Sequence, residues 1–239
     1  MDDATIYLED QRGCSQNNDF QCLHTFNFGQ YFDPNRQPFG NLRVFNDVKL
    51  KAQQSISRSV ETNTDVLILP LEGGLAYQTG AAEEQFVVAG QVLHLALGSN
   101  ESYRISNPYQ AEIINYLEIW VTDNTPSFAA GSRATDFDLG QKNTLLPLLS
   151  LPNFGAYIGQ FCTVQRHHRS KRWCRYGGRE EETYSPQNPK NSLFAFVIAG
   201  AFEFQNRLLH ARDGLALEQA ENIDFEALSN DAVVLLLEM

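Results

Sequence analysis

Turn-forming residues recur at regular intervals through most of this chain. Gly, Asn, Asp and Pro recur about every 8–12 residues, and the apolar runs between them are short. The segments DVLILPLEGG (Asp65–Gly74), VLHLAL (Val92–Leu97) and DAVVLLLEM (Asp231–Met239) show the pattern. Such spacing is typical of β-sandwiches and β-barrels, so we predict an all-β fold.

Three local features refine this prediction. Pro70 interrupts a strand pattern and cannot donate to a sheet, which predicts a sheet edge or a β-bulge. NLRVFNDVKL (Asn41–Leu50) is interpreted as two strands joined by a turn at Asn46 and Asp47. The apolar stretch NTLLPLLS (Asn143–Ser150) predicts a short extended segment because Pro147 disfavours a helix, whereas NIDFEALS (Asn222–Ser229) leaves a short helix open.

The two halves of the chain share a weak internal similarity. LILPLEGGLAYQ (Leu67–Gln78) and FAFVIAGAFEFQ (Phe194–Gln205) both give a strand, a glycine turn and a strand with an aromatic residue. This repetition predicts two β-barrels built on one duplicated plan. We expect an N-terminal barrel over residues 1–122, a connector rich in Gly, Ser, Thr, Asp and Pro over 123–152, and a C-terminal barrel over 153–239.

Composition limits the classes of partner. The chain has 239 residues, 43% of them hydrophobic, which is enough for a sizeable core. Its net charge of −11 argues against general binding to nucleic acid, and no long apolar run predicts a membrane span. The acidic N-terminus lacks the apolar region of a secretory signal, so we expect a cytoplasmic protein whose four cysteines are free thiols.

Two longer blocks carry a resemblance to known proteins. LPLEGGLAYQTG with EEQFVVAGQVLHLALGS resembles a cupin, and TFNFGQYFDPNRQPFGNLRVFNDVKL (Thr25–Leu50) resembles the N-terminal segment of the pirin family. NSLFAFVIAGAFEFQNRLLHARDGLALEQA (Asn191–Ala220) resembles the C-terminal cupin of pirin-like and quercetinase-like bicupins. The resemblance implies two jelly-roll-like β-barrels packed face to face, with the N-terminal segment lying on the second barrel.

The resemblance also implies a site. Pirin-family proteins usually bind iron in the N-terminal barrel; some are quercetin 2,3-dioxygenases, and others regulate transcription. Their first motif, His-x-His followed by Glu, falls on Ser59, Glu61 and Asp65 of this chain. The histidine of the second motif falls on Tyr103, or on Glu101 by the broader cupin spacing.

The histidines of these motifs are therefore replaced, and no cofactor is expected. We predict that Ser59, Glu61, Asp65, Glu101 and Tyr103 line the mouth of a barrel that holds an unknown small molecule, in a binding or regulatory protein that could also have a protein partner. The first alternative is a divergent quercetin 2,3-dioxygenase that uses carboxylate ligands or none. Glu61, Asp65 and Glu101 could supply oxygen ligands, which suit a hard cation but not redox chemistry on a flavonol. Whether the chain is an enzyme stays open, and no catalytic residue is assigned.

A basic stretch gives a weaker alternative. From Arg166 to Arg179 the chain carries basic residues with Trp173 and Tyr176 among them and no acid, which would suit a phosphate or nucleic-acid contact. A plain surface loop fits as well, because Glu180–Glu182 follow at once. Cys162, His167, His168 and Cys174 have the residue types of a zinc site but not its usual spacing.

Overall fold

The computed structural model describes residues 4–122, 131–163, 182–188, 190–219 and 221–239. A short 3-10 helix, Glu9–Gln11, follows the first strand. The strands in the first part of the chain are β1 (Ala4–Tyr7), β2 (Gly13–Gln16), β3 (Phe20–His24), β4 (Leu42–Leu50), β5 (Ser55–Ser59), β6 (Thr64–Glu72), β7 (Gly74–Thr79), β8 (Gln85–Val88), β9 (Gln91–Leu97), β10 (Ser102–Ser106), β11 (Ile114–Val121) and β12 (Gly131–Asp136). The remaining strands are β13 (Leu145–Leu151), β14 (Phe154–Phe161), β15 (Glu182–Tyr184), β16 (Leu193–Ala199), β17 (Ala201–Phe204), β18 (Arg207–His210), β19 (Gly214–Leu217), β20 (Ile223–Ala227) and β21 (Ala232–Glu238).

The all-β prediction is confirmed, and the strands form two compact units. The N-terminal unit is Arg12–Phe137, and the C-terminal unit combines Met1–Gln11 with Asp138–Met239. This division differs from the expected boundaries because two strands, β12 and β13, lie within the expected connector. β12 pairs with β9 in the N-terminal unit, and β13 pairs with β14 in the C-terminal unit.

Apart from the additional edge strand β2 in the N-terminal unit, the two units have matching strand orders, which supports the duplicated plan. The large sheet of the N-terminal unit runs β12-β9-β6-β11-β4-β3-β2, and that of the C-terminal unit runs β1-β19-β16-β21-β14-β13. The small sheets run β5-β10-β7-β8 and β15-β20-β17-β18. The glycines of the two similar sequence segments, Gly73 and Gly200, both have positive φ angles, of 77° and 79°. Only a residue without Cβ adopts this conformation readily, so the repeated glycine marks the same turn in each unit.

The local predictions had mixed outcomes. Pro70 lies at a β-bulge, where the register of β6 against β11 shifts, and Pro147 lies in an extended segment, β13. The predicted turn at Asn46 and Asp47 is wrong, because both residues continue β4. The helix left open over residues 222–229 is replaced by β20, whose Ile223 and Phe225 enter the core of the C-terminal unit.

The interiors of the two units differ in chemistry. The core of the C-terminal unit contains a cluster of phenylalanines among aliphatic residues: Phe225 lies 5.2 Å from both Phe161 and Phe204 by ring centroids. The core of the N-terminal unit includes buried aliphatic residues such as Val66, Ile68 and Leu95. Its inward faces also carry charged and polar side chains, which are described below.

Three of the four cysteines, Cys14, Cys22 and Cys162, lie in described residues and are free thiols, as expected. No helix within the described parts of the chain is long and apolar enough to cross a membrane.

Candidate functional site in the N-terminal unit

An open cavity of about 1140 Å³ lies in the N-terminal unit, at one end of its strands. It is lined by aromatic, hydroxyl, amide and charged side chains from several strands and from the loop between β3 and β4. The lining residues are Asn27, Phe28, Gly29, Pro38, Arg43, Val44, Ser57, Arg58, Ser59, Glu61, Thr62, Asn63, Thr64, Ser99, Trp120 and Thr122. The cavity is large enough for an organic ligand of ordinary size.

Arg58 enters the interior of the unit from β5. Side chains alternate between the two faces of a strand, and Ile56 and Val60 both belong to the hydrophobic core. Arg58 shares their face, whereas Ser57 and Ser59 are exposed on the other one. The side chain of Arg58 is 17% exposed and lies at the cavity.

Glu118 is the buried partner of Arg58. It lies on β11, on the same face as the core residues Ile114 and Tyr116, and is fully buried. Arg58 Nε donates to Oε1 of Glu118 at 3.3 Å, and the Tyr103 hydroxyl donates to the same oxygen at 2.6 Å. The second oxygen, Oε2, accepts from Asn46 Nδ2 at 2.9 Å. Three donors thus surround one buried carboxylate.

These partners fix the protonation of the network. Burial raises the pKa of Tyr103, and the charge of Glu118 raises it further, so the phenol keeps its proton and donates. Burial is the largest single effect on the pKa of Arg58 and would lower it, but the charge of Glu118 together with the smaller effects of Cys22, Tyr116 and Tyr103 outweighs burial, and the net shift is upward. Arg58 therefore stays protonated beside Glu118.

The network continues to His24 on β3. Asn46 Oδ1 lies 2.8 Å from His24 Nδ1, and the Ser15 hydroxyl lies 2.8 Å from His24 Nε2. Because Asn46 Oδ1 can only accept, Nδ1 carries the proton and Nε2 accepts from Ser15. Burial lowers the pKa of His24, and the nearby charge of Arg58 adds to this while the Asn46 bond opposes it. The imidazole is thus neutral near pH 7.

Aromatic rings form one corner of the cavity. Phe28 and Trp120 meet edge to face, with centroids 5.5 Å apart, and the Arg58 guanidinium lies 5.1 Å from the centre of the Phe28 ring. Trp120 Nε1 donates to the Tyr103 hydroxyl at 2.9 Å, which fixes the indole. A rigid aromatic corner next to a cation suits a flat organic ligand.

The five side chains predicted from the sequence lie in different places. Ser59 and Glu61 line the cavity. Tyr103 is buried behind Trp120 and reaches Glu118. Glu101 lies in an exposed turn, where its carboxylate accepts from the Gly98 amide at 2.7 Å.

Asp65 lies on the opposite face of its strand from the core residues Val66 and Ile68. Its carboxylate is 2.6 Å from His94 Nε2 on β9, whose neighbours Leu93 and Leu95 point into the core. Asp65 is thus held by a neighbouring strand and does not line the cavity.

The described residues contain no cluster of side chains that could bind a metal ion. No group of three or more His, Cys, Asp and Glu side chains in residues 4–122, 131–163, 182–188, 190–219 and 221–239 could hold a metal ion. In the interior of the N-terminal unit, Asn46 lies between His24 and Glu118 and bonds both side chains. The basic stretch from Arg166 to Arg179, with His167, His168 and Cys174, lies outside the described residues.

Sequence reasoning missed the residues at the centre of the site. The alternation of Ile56, Arg58 and Val60 was a usable signal for Arg58, whereas motif counting selected Ser59, one residue away. A shift of one residue moves a side chain to the other face of a strand. Glu118 gave no such signal, because β11 is apolar on both faces.

Comparisons with known proteins agree with this architecture. Residues 177–239 match the family model of the quercetinase C-terminal cupin domain. A quercetin 2,3-dioxygenase of Escherichia coli K12 is 23% identical over 236 residues, covering 98% of both chains. A pirin-like protein of Caulobacter vibrioides is 22% identical over 227 residues, covering 95% of this chain and 96% of the relative.

Solved structures give the same result for the fold. YhhW from Escherichia coli matches with a TM-score of 0.82 at 20% identity, covering 99% of this chain and 97% of YhhW. The structure of bacterial pirin YhhW in complex with nickel(II) also matches with a TM-score of 0.82, at 19% identity, covering 99% of this chain and 98% of YhhW. Sequence relatives that extend over nearly the whole chain, the C-terminal domain match and the shared fold together show that this chain is similar to the pirin-like bicupins.

Proposed function

We propose that this chain is a metal-free cupin that binds a small organic molecule in the cavity of its N-terminal unit. The observation that carries the proposal is the Arg58–Glu118 pair at the inner end of that cavity. A binding role of this kind suits a carrier or a ligand-responsive regulator.

The first support comes from the charge beside Glu118. A metal ion bound by this carboxylate would lie close to the Arg58 guanidinium, and two cations in a buried site repel each other strongly. Glu118 would also lose donors, since its two oxygens accept from Tyr103, Asn46 and Arg58. The residues around Glu118 therefore do not fit the iron that the family resemblance implies or the nickel in the YhhW complex.

The second support comes from the cavity itself. Its wall combines two aromatic rings with hydroxyl and amide groups from Ser57, Asn63 and Ser99, among others. Apolar surfaces with a few placed polar groups are typical of sites that bind small molecules. Such a site works without a metal, because contact area and hydrogen bonds supply the affinity.

A divergent flavonol-cleaving oxygenase is the second candidate. It is supported by the relatives named as quercetin 2,3-dioxygenases, which match over nearly the whole chain. The chemistry requires a redox metal with open coordination positions. The Arg58–Glu118 pair argues against this candidate, and metal analysis separates the two.

The first test is elemental analysis of untagged protein, as purified and after anaerobic incubation with Fe(II) or Ni(II). We expect far less than one transition metal per chain in each preparation and no oxygen uptake with quercetin. The Escherichia coli relative, treated in parallel, is the positive control for loading. Near-stoichiometric metal that disappears in Glu118→Gln would overturn the metal-free proposal.

The second test measures ligand binding directly. Intrinsic fluorescence of metal-free protein is followed during titration with a panel of small aromatic and polyhydroxylated compounds. We expect at least one to quench Trp120 saturably, with the quench abolished in Trp120→Phe. If no compound binds in calorimetry either, the binding role falls.

A further inference from the structure

Arg58 has donors beyond the one that Glu118 uses. A guanidinium carries five N–H groups in one plane, and Glu118 accepts only from Nε, at 3.3 Å. Among the described residues no hydrogen bond joins Nη1 or Nη2 of Arg58 to a protein acceptor, and the residue lines the cavity. The paired terminal amino groups are therefore accessible to a ligand.

The surroundings hold this guanidinium in place. Nε is fixed by a buried carboxylate, and the face of the group lies 5.1 Å from the centre of the Phe28 ring. A guanidinium held in this way loses little conformational freedom when it binds a second partner. Two parallel N–H groups match the two oxygens of a carboxylate, which gives a bidentate, charge-assisted bond.

Glu118 is also stabilised by neutral donors. Its carboxylate accepts from Tyr103 and Asn46 as well as from Arg58. The charged residues of the cavity wall are Arg43, Arg58 and Glu61, and with Glu118 behind Arg58 these charges sum to zero. The cavity is therefore far less negative than the whole chain, whose net charge is −11.

We infer that the ligand of this cavity is an aromatic carboxylic acid, whose carboxylate pairs with Nη1 and Nη2 of Arg58 while its ring lies in the corner formed by Phe28 and Trp120. The inference rests on the proposed function and adds the chemical class of the ligand. Hydroxyl and amide groups of the rim, such as Ser57 and Asn63, would bond ring substituents.

The experiment compares 4-hydroxycinnamate with its neutral amide by isothermal titration calorimetry at pH 7.5 and constant ionic strength. A charge-assisted bond is stronger than a neutral one, so we expect the acid to bind at least about tenfold more tightly than the amide. Arg58→Lys, which keeps the charge but loses the planar pair of donors, should weaken acid binding about tenfold.

A double variant avoids an unpaired buried charge. Arg58→Gln combined with Glu118→Gln removes both members of the pair, and circular dichroism with thermal unfolding checks that it is folded. We expect the preference for the acid over the amide to disappear. The control for the arginine substitution is Arg104→Gln, which removes one arginine at an exposed position that bonds Ser55 outside the cavity wall, whereas the double variant leaves the net charge of the chain unchanged. Arg104→Gln should keep the preference.

The outcomes separate this inference from the proposed function. Three results would overturn the inference of an aromatic acid but leave the proposed small-molecule site. They are equal binding of acid and amide, binding of quercetin alone, and a preference for the acid that survives in the double variant. Failure of the acid, the amide and quercetin to bind overturns both proposals. An acid preference that is lost in the double variant and kept in Arg104→Gln supports the inference.

Discussion

At the scale of single residues, Glu118 sets the chemistry of the N-terminal unit. A buried carboxylate is costly unless donors and a counter-charge surround it. Here one charged and two neutral donors do so, and the same contacts anchor four strands around one point. The site residue is thus also a structural one, which leads to the first prediction.

Removing the charge of Glu118 alone should destabilise the protein. Glu118→Gln leaves the largely buried Arg58 cation without its partner, so we expect the free energy of unfolding to fall by about 3 kcal/mol. The double variant Arg58→Met with Glu118→Gln should lose clearly less than the sum of the two single variants. Urea denaturation, monitored by circular dichroism, measures the free energy of unfolding of each variant. Additive losses would show that the pair is not coupled.

His24 supplies a pH-dependent contribution. Its pKa is lowered in the folded protein from the ordinary value of 6.5, chiefly by burial. The unfolded chain therefore binds a proton at a higher pH than the folded one. The stability that neutral His24 contributes is fully present above about pH 6.5 and is lost as the pH falls through the lower folded value.

The corresponding experiment compares stability at pH 7 and pH 5. We expect the decrease in the free energy of unfolding over this interval to be smaller in His24→Gln than in the unchanged protein. His210→Gln, at an exposed position, is the control and should leave the decrease unchanged. A decrease of the same size in His24→Gln would contradict the assigned neutral imidazole.

Residue-level prediction from sequence succeeded only in part, for a physical reason. The family motif selected Ser59 and Glu61, which both line the cavity in the structure. It could not assign Arg58 to the interior, since motif counting carries no information about which face a residue occupies. The pairing of Asn46 with Glu118 could not be predicted from the sequence, because the two residues are 72 positions apart in the chain.

At the scale of elements, β4 shows how tertiary contacts override local preference. Asn46 and Asp47 have turn propensity, but in the structure each has a partner across the sheet: Asn46 bonds Glu118, and Asp47 accepts from Asn115 at 2.6 Å. These bonds replace the hydrogen bonds to water that both side chains would make in an exposed turn. By contrast, Gln205 and Asn206 form the turn between β17 and β18, where positive φ angles at both residues satisfy the local preference of the hairpin.

Strand β1 gives the prediction at this scale. It pairs with β19 in the C-terminal unit, where Tyr7 is buried and its ring lies 5.9 Å from that of Phe194. Tyr7→Ala should lower the free energy of unfolding by about 3 kcal/mol through loss of a buried ring. Ile6→Ala, one residue away but 40% exposed, should cost much less. Guanidinium denaturation distinguishes them, and equal losses would mean that β1 is not packed as described.

At the scale of the whole molecule, the two units exchange edge strands. β1 precedes the strands of the N-terminal unit but pairs in the C-terminal sheet, and β12 precedes most strands of the C-terminal unit but pairs in the N-terminal sheet. The two strands hold equivalent places next to β19 and β9. Sequence reasoning detected the duplication from the glycine hairpins, but strand pairing across the length of the chain has no local signature.

The interiors of the two units differ in detail. The Arg58–Glu118 network lies in the N-terminal unit, whereas the core of the C-terminal unit contains a cluster of phenylalanines. The C-terminal unit also has a buried carboxylate, Glu238, which accepts from Tyr184, Asn191 and the Gln187 amide. The duplicated plan has thus kept the strand order while the side chains of the two units differ.

This arrangement predicts how the chain can be divided. A fragment of residues 12–137 contains its edge strand and its core, so we expect it to fold alone, with dispersed amide resonances. A fragment of residues 138–239 lacks β1 and the Glu9 amide that donates to Asp213 at 2.9 Å. It should be less stable and aggregate more readily, because the edge of β19 is left unpaired. A synthetic peptide of residues 1–11, added in trans, should restore stability, and the same peptide with Tyr7→Ala should do so poorly. Equal stability of the 138–239 fragment with and without the peptide would show that the first strand contributes little to the C-terminal unit.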